Sequence, residues 1–193
     1  TISGKVLPNI DFKFNEHAIA NNAYSEIKLE GSVFCDNIIY MAPQVPKINI
    51  TQATVNLNPE LIQVSNFNML FGKSDIKSKI DWIQPLKYFT ASSNLNIKIE
   101  SQSQIIDLTE WLSEETSTKS EPSTITTNDL KGVQISIKSS ISKLIYPDYK
   151  INNLACSGLL LSDQFQLSDF SAEINGNQIQ ANGTFNNLAS YML

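Results

Sequence analysis

Residues 61–71, LIQVSNFNMLF, and residues 164–174, QFQLSDFSAEI, decide how this chain folds. In the first stretch Ile62 and Val64 share one parity, and Phe67, Met69 and Phe71 take the other. In the second, Phe165 and Leu167 are followed by Phe170, Ala172 and Ile174. Apolar residues spaced by two mark half-buried strands, because successive side chains of a strand point to opposite faces. The parity changes at Ser65-Asn66 and again at Ser168-Asp169, the same place in each stretch. A strand keeps one apolar face through such a slip only by inserting an extra residue, a β-bulge, which also adds bend and twist.

The two stretches belong to a longer repeat. Lys47 to Phe89 aligns without a gap on Lys150 to Met192, at an offset of 103 residues. Lys47-Ile48-Asn49 matches Lys150-Ile151-Asn152, Phe67 matches Phe170, and Tyr88 matches Tyr191. The punctuation repeats as well. Asn58-Pro59-Glu60 aligns with Leu161-Ser162-Asp163 as a turn. Gly72-Lys73 aligns with Asn175-Gly176, and both suit a two-residue hairpin. Each copy reads as a three-strand meander on a curved sheet, closed by a short helix. Ile38-Ile39-Tyr40 corresponds to Leu144-Ile145-Tyr146, one strand earlier in each copy.

Alternation also governs the rest. Ile10, Phe12 and Phe14 are spaced by two, as are Ile27 and Leu29, then Leu95, Ile97 and Ile99, then Val133, Ile135 and Ile137. Helical spacing is confined to Ile83–Phe89, where Pro85 suits a first turn, to Asp107–Leu112, where Asp107 can cap, and to Asn187–Leu193. The predicted fold class is mainly β: curved antiparallel meander repeats forming a groove or taco-like sheet, with a few short helices. Residues 1–112 form a first block, 113–132 a polar Ser/Thr/Glu-rich loop, and 133–193 a second, partial meander repeat.

Composition narrows the function. The chain has 193 residues, a net charge of −5, 41% hydrophobic and only 17% charged residues. Its basic residues are all Lys, which disfavours nucleic acid and its need for Arg forks. The hydrophobic content is too high for a disordered chain. No apolar run is long enough to cross a membrane as a helix. Cys35 and Cys156 each sit beside apolar residues and read as buried free thiols, with a disulfide between them as the alternative. The lone His17, read as an exposed strand-end residue, cannot assemble a catalytic triad or a two-His metal site. Asp107 and Glu110 are better read as helix-capping groups than as a carboxylate pair. Gly72-Lys73-Ser74 lacks the upstream Gly and following helix of a phosphate loop. Lys73 and Asp75 flank a hairpin turn and read as solvated, with a lipid head-group contact as the alternative.

The run Val45-Pro46-Lys47-Ile48-Asn49-Ile50, then Ala53-Thr54-Val55-Asn56-Leu57, then Phe67-Asn68-Met69-Leu70-Phe71-Gly72-Lys73-Ser74-Asp75-Ile76, resembles the C-terminal region of AsmA-like proteins. Leu95-Asn96-Ile97-Lys98-Ile99-Glu100-Ser101, leading to Ile106-Asp107-Leu108 and Trp111-Leu112, resembles that family's strand-then-helix continuation. Gly132 to Phe185 resembles its next repeat. The resemblance implies an envelope protein of Gram-negative bacteria, anchored in the inner membrane through parts outside this segment and otherwise periplasmic. It implies kinship with TamB and other repeating β-groove proteins, whose bent sheet holds acyl chains on an apolar concave face. The implied function is inter-membrane phospholipid transport and outer-membrane biogenesis, with phospholipid as the partner, no cofactor and no nucleic acid.

The residues fit that mechanism on their own terms. A sheet with one apolar face must cover it with another sheet, helices or a ligand. The candidate lipid-contact residues are Phe12, Phe14, Ile27, Leu29, Val55, Leu57, Ile62, Val64, Phe67, Met69, Phe71, Leu95, Ile97 and Ile99. The same residues would form an ordinary core in the alternative, a β-sandwich interaction module of a cell-surface or secreted protein. An enzyme on a β scaffold is a third reading, with no catalytic signature behind it.

Overall fold

The structure, a computed structural model, describes residues 1–13, 16–21, 23, 26–42, 45–90, 94–112 and 132–186. Ten strands follow in chain order: β1 (Ile2–Lys13), β2 (Lys28–Ala42), β3 (Val45–Asn58), β4 (Leu61–Phe71), β5 (Ser74–Ile83), β6 (Leu95–Asp107), β7 (Val133–Tyr146), β8 (Tyr149–Leu161), β9 (Gln164–Ile174) and β10 (Asn177–Phe185). Three short helices interrupt them: α1 (Glu16–Ala20), α2 (Pro85–Thr90) and α3 (Thr109–Leu112). All ten strands lie in one sheet, in sequential order from β1 to β10. The sheet is curved and unclosed, since β1 and β10 do not pair. It is the groove-like, mainly β architecture that the alternation predicts, and not a sandwich of two sheets.

The repeat is visible element by element. β4 and β9 begin and end 103 residues apart, and β5 and β10 begin 103 apart. The predicted bulges are present. Between Val64 and Phe67, β4 spends three residues where β5 spends two, from Ile80 to Ser78. β9 does the same from Leu167 to Phe170 against Gly183 and Ala181 of β10. Asn66 takes the extra position with a φ of 52°, a left-handed conformation that Asn tolerates better than most residues. The hairpins are as predicted too: Phe71 pairs with Ser74 around Gly72-Lys73, and Ile174 pairs with Asn177 around Asn175-Gly176. Asn175 and Gly176 both have positive φ, as a type I′ turn requires.

Further bulges were not foreseen. The β1–β2 register shifts near Asn37, and the β8–β9 register shifts between Asn152 and Ala155; Asn37 and Asn153 both have φ of 49°. The other departure is that β6 and β7 pair parallel, from Leu95↔Val133 to Asp107↔Ile145. A parallel pair needs a long connection back to the starting end, and the polar stretch 113–131 supplies the length. That stretch lies outside the described residues, as does the predicted helix 187–193. The two blocks therefore join into a single sheet. α1 was not predicted; it carries His17, so that residue is exposed on a helix and not at a strand end, with Asn21 Nδ2 3.1 Å from its Nδ1.

Packing is thin. Among the described residues the buried hydrophobics are Ala18, Ile27, Ala53 and Ala172. Ala18 and Ile27 form a small cluster with Ala23 and Leu86, which joins α1 and α2 at one end of the sheet. Pro85, fully buried, opens α2 as its position predicts. Cys35 and Cys156 are unpaired, half-buried rather than buried.

Gly158 has a tertiary role. A Cβ there would stand 2.5 Å from the ring of Phe165, whose place across the strand depends on the missing side chain. At Gly183 nothing lies within 4 Å of a Cβ. Gly158→Val should therefore destabilise the chain by about 1–3 kcal/mol through overpacking. Gly183→Val should cost little or add slightly through β propensity. Urea denaturation midpoints of the two variants check this contrast.

Candidate functional site

Register partners in neighbouring strands point to the same face of a sheet. Following partners from strand to strand shows two rows that cross all ten. The first runs Ile10, Gly31, Leu57, Ile62 and Trp82, then Ile97, Ile135, Leu160, Phe165 and Phe185. The second runs Pro8, Val33, Val55, Val64 and Ile80, then Ile99, Ile137, Gly158, Leu167 and Gly183. Neither row contains a charged or hydrogen-bonding side chain other than the Trp82 indole. Nine spacings of about 4.8 Å make each row about 43 Å long.

Beyond the β4 bulge the same face continues. Phe67 stands opposite Ser78, Met69 opposite Ile76 and Phe71 opposite Ser74. The row through Phe67 then carries Ser101, Ser139 and Cys156 before Phe170, so its centre is lined by small polar groups. Ser101 Oγ and Ser139 Oγ are 2.9 Å apart. The apolar rows are half-exposed along their length: Val55, Val64, Ile80, Ile97, Ile99, Ile135 and Ile137 are neither buried nor fully open. Among the described residues, helices touch this face near its ends. Tyr88 of α2 makes an edge contact with Trp82, with ring centroids 5.9 Å apart. α3 reaches the opposite end, at the β4–β5 hairpin.

Most of the predicted contact residues come together here. Val55, Leu57, Ile62, Val64, Ile97 and Ile99 are in the two rows. Leu95 faces Val133 beside them. Phe12 pairs with Leu29 at the β1 margin and is 52% exposed. Ile27 stands apart, buried in the α1 cluster just before β2. Phe14 lies outside the described residues. The rows also include residues not singled out from sequence, such as Val33, Ile80 and Trp82. The signal for those in β7 and β9, namely Ile135, Ile137, Phe165 and Leu167, was the alternation already read there.

The opposite face is polar and holds a cavity of about 600 Å³. Its walls include Lys77, Gln102 and Ser171 on one side and Lys79, Glu100, Lys138 and Asp169 on the other. Each wall residue alternates with a member of the apolar face, so cavity and apolar rows occupy opposite sides of one sheet. This hollow coincides with no predicted residue except Phe67, which it shares at its edge.

The Asp107–Glu110 pair is structural. The Asp107 carboxylate accepts the Thr109 N–H at 3.1 Å and a short bond from the Thr109 hydroxyl. Glu110 Oε2 accepts the N–H of Lys73 at 2.8 Å and sits over Gly72, where a Cβ would collide with it. Lys73 Nζ is 3.8 Å from Asp107 and 3.9 Å from Glu110. Asp75 accepts the N–H groups of Gln104 and Ile105 at 3.0 and 2.8 Å. Lys73 and Asp75 are thus not simply solvated: they clasp the hairpin to β6 and α3. No group of three His, Cys, Asp or Glu among the described residues is placed to hold a metal ion.

Comparison with models of protein families, with curated proteins and with solved structures finds no match.

The Thr109 hydroxyl, ahead of the Thr109 N–H and the Lys73 and Lys143 charges, holds the Asp107 carboxyl below its usual range, against the burial that would raise it. A carboxyl lowered in the folded state stabilises fully above its unfolded value, and that contribution is lost as pH falls through the folded one. Thr109→Val should move the Asp107 titration upward and bring acid unfolding to higher pH. A carboxyl NMR titration of Asp107 and thermal melts at acid pH read both.

Proposed function

We propose that this chain is a non-enzymatic, periplasmic segment of an AsmA-like protein that binds the acyl chains of phospholipid along its apolar face. In this reading it supports lipid transport to, and assembly of, the outer membrane, with anchorage to the inner membrane through other parts of the protein. One observation carries the proposal: two apolar rows span ten strands and, among the described residues, helices lie only near the strand ends. An apolar surface of this extent is unfavourable in water. Acyl chains relieve it at about 0.8 kcal/mol per buried methylene, without any head-group chemistry. The half-exposure of the rows also weighs against a sandwich, whose second sheet would bury them.

Native mass spectrometry of the chain purified from bacterial membranes tests the reading. Phospholipid should be carried through purification by the wild type. Val64→Glu and Ile99→Glu place a carboxylate in the middle of the second row, where desolvation is costly, and should lower the lipid load by roughly tenfold. Lys79→Glu, on the opposite face, should leave it unchanged. Lipid-free wild-type protein, or equal loads in all four proteins, would sink the proposal.

A further inference from the structure

The apolar face carries one polar row near its middle. Phe67 stands opposite Ser78, and the register then runs through Ser101, Ser139 and Cys156 to Phe170. Phe67 and Phe170 are counterparts in the repeat, so equivalent rings close the row at its two ends. Between them the adjacent strands β5, β6 and β7 place three hydroxyl groups in line, beside the apolar row of Ile80, Ile99 and Ile137. All three serines are half-buried.

A need for small side chains does not account for the hydroxyls. Ala181, the counterpart of Ser78 in the repeat, stands opposite Phe170 just as Ser78 stands opposite Phe67. The same place in the meander is filled by Ala in one copy and by Ser in the other. Nor does the fold consume these hydroxyls. Ser74 and Ser103 direct theirs to the Asp107 N–H and the Asp75 carboxylate. Ser101 and Ser139 bond only each other, at 2.9 Å, which uses one hydroxyl proton and leaves the second. The Ser78 hydroxyl bonds no described residue. A hydroxyl taken out of water without a partner costs free energy. The row therefore suits a ligand that is apolar over most of its length and offers hydrogen-bond acceptors at one place.

We infer that the Ser78–Ser101–Ser139 row is an ester-recognition site, where the two ester carbonyls of a diacyl lipid accept hydrogen bonds from the free hydroxyl protons. Ser78 and the Ser101–Ser139 pair begin on adjacent strands, about 5 Å apart, a span that the glycerol joining two acyl chains covers. The chains then lie along the Ile80–Ile99–Ile137 row and its apolar neighbour. Hydroxyl donors in a row that holds no cation suit a neutral carbonyl. They do not suit the carboxylate of a free fatty acid, whose burial calls for a counter-charge. The inference rests on the acyl-chain reading of this face and adds where along it the lipid is held.

Competition between two probes of equal chain length tests it: a diacyl phosphatidylethanolamine and its dialkyl ether analogue, which lacks both carbonyls. The full chain should bind the diester about tenfold more tightly than the diether, as two modest hydrogen bonds provide. The triple variant Ser78→Ala, Ser101→Ala, Ser139→Ala should bind both equally, at the wild-type affinity for the diether. Ser101→Ala alone should give an intermediate ratio. Ser140→Ala, on the polar face, should keep the wild-type preference. The infrared band of the isotope-labelled ester carbonyl should lie at lower wavenumber on the wild type than on the triple variant. Oleate should displace the diester no better than the diether does. Three results would each overturn the inference while leaving the acyl-chain reading intact: equal wild-type affinity for diester and diether, a preference or carbonyl band unmoved in the triple variant, or stronger displacement by oleate. Uptake of neither lipid would remove the acyl-chain reading, and this inference with it.

Discussion

One constraint underlies the whole molecule: a strand alternates its faces without exception, yet this sheet keeps a single face apolar across long strands. A run of fourteen or fifteen residues in flawless alternation would twist evenly, without a local bend. Here the apolar parity slips once or more along β2, β3, β4, β8 and β9, and the register shifts where it slips. Each extra residue restores the apolar side chains to the common face while bending the strand. Val64 and Phe67, even and odd in number, thus face the same way, because Ile80 and Ser78 opposite them do. Asn does much of this work, at Asn37, Asn66 and Asn153, because its short polar side chain makes a left-handed backbone tolerable.

The same constraint sorts chemistry to the two sides. Lys, Glu, Gln and Asp fill the alternate positions and gather on the other face, where they wall the cavity around Lys79, Glu100 and Lys138. The carboxylates that might have suggested catalysis are consumed elsewhere. Asp75 accepts N–H groups of β6, Asp107 the N–H of Thr109 at the start of α3, and Glu110 the N–H of Lys73 in the β4–β5 hairpin. Stability is then distributed along ladders and turns rather than concentrated in a core, and the described buried cluster is no larger than a helix corner around Ala18 and Ile27.

Much of this was legible beforehand. The parity slip at Ser65-Asn66 and Ser168-Asp169, the Gly72-Lys73 and Asn175-Gly176 hairpins, Pro85 at a helix start and the offset of 103 residues all translate directly into structure. They are local signals: a few consecutive residues and the stereochemistry of the backbone are enough to read them. The candidate contact residues were legible for the same reason, since alternation alone places Val55, Leu57, Ile62, Val64, Ile97 and Ile99 on one side. Ile27 was misjudged because its alternation with Leu29 says nothing of the α1 and α2 residues that close over it. Asp75 and Lys73 were misjudged because their partners are in β6 and α3, about thirty residues away.

By itself the sequence determined the β class, the repeat, the bulges, the turns and the division into an apolar and a polar face, all of which follow from periodicity over short distances. Only the tertiary structure decided that β6 and β7 pair parallel, that both copies share one open sheet, and that a cavity lies behind the apolar rows. Those outcomes depend on which strand edges meet, and edge pairing is made of backbone hydrogen bonds that are the same for every residue except proline. Side-chain pattern therefore names the face a residue occupies, while the neighbour across the ladder is chosen by the whole chain.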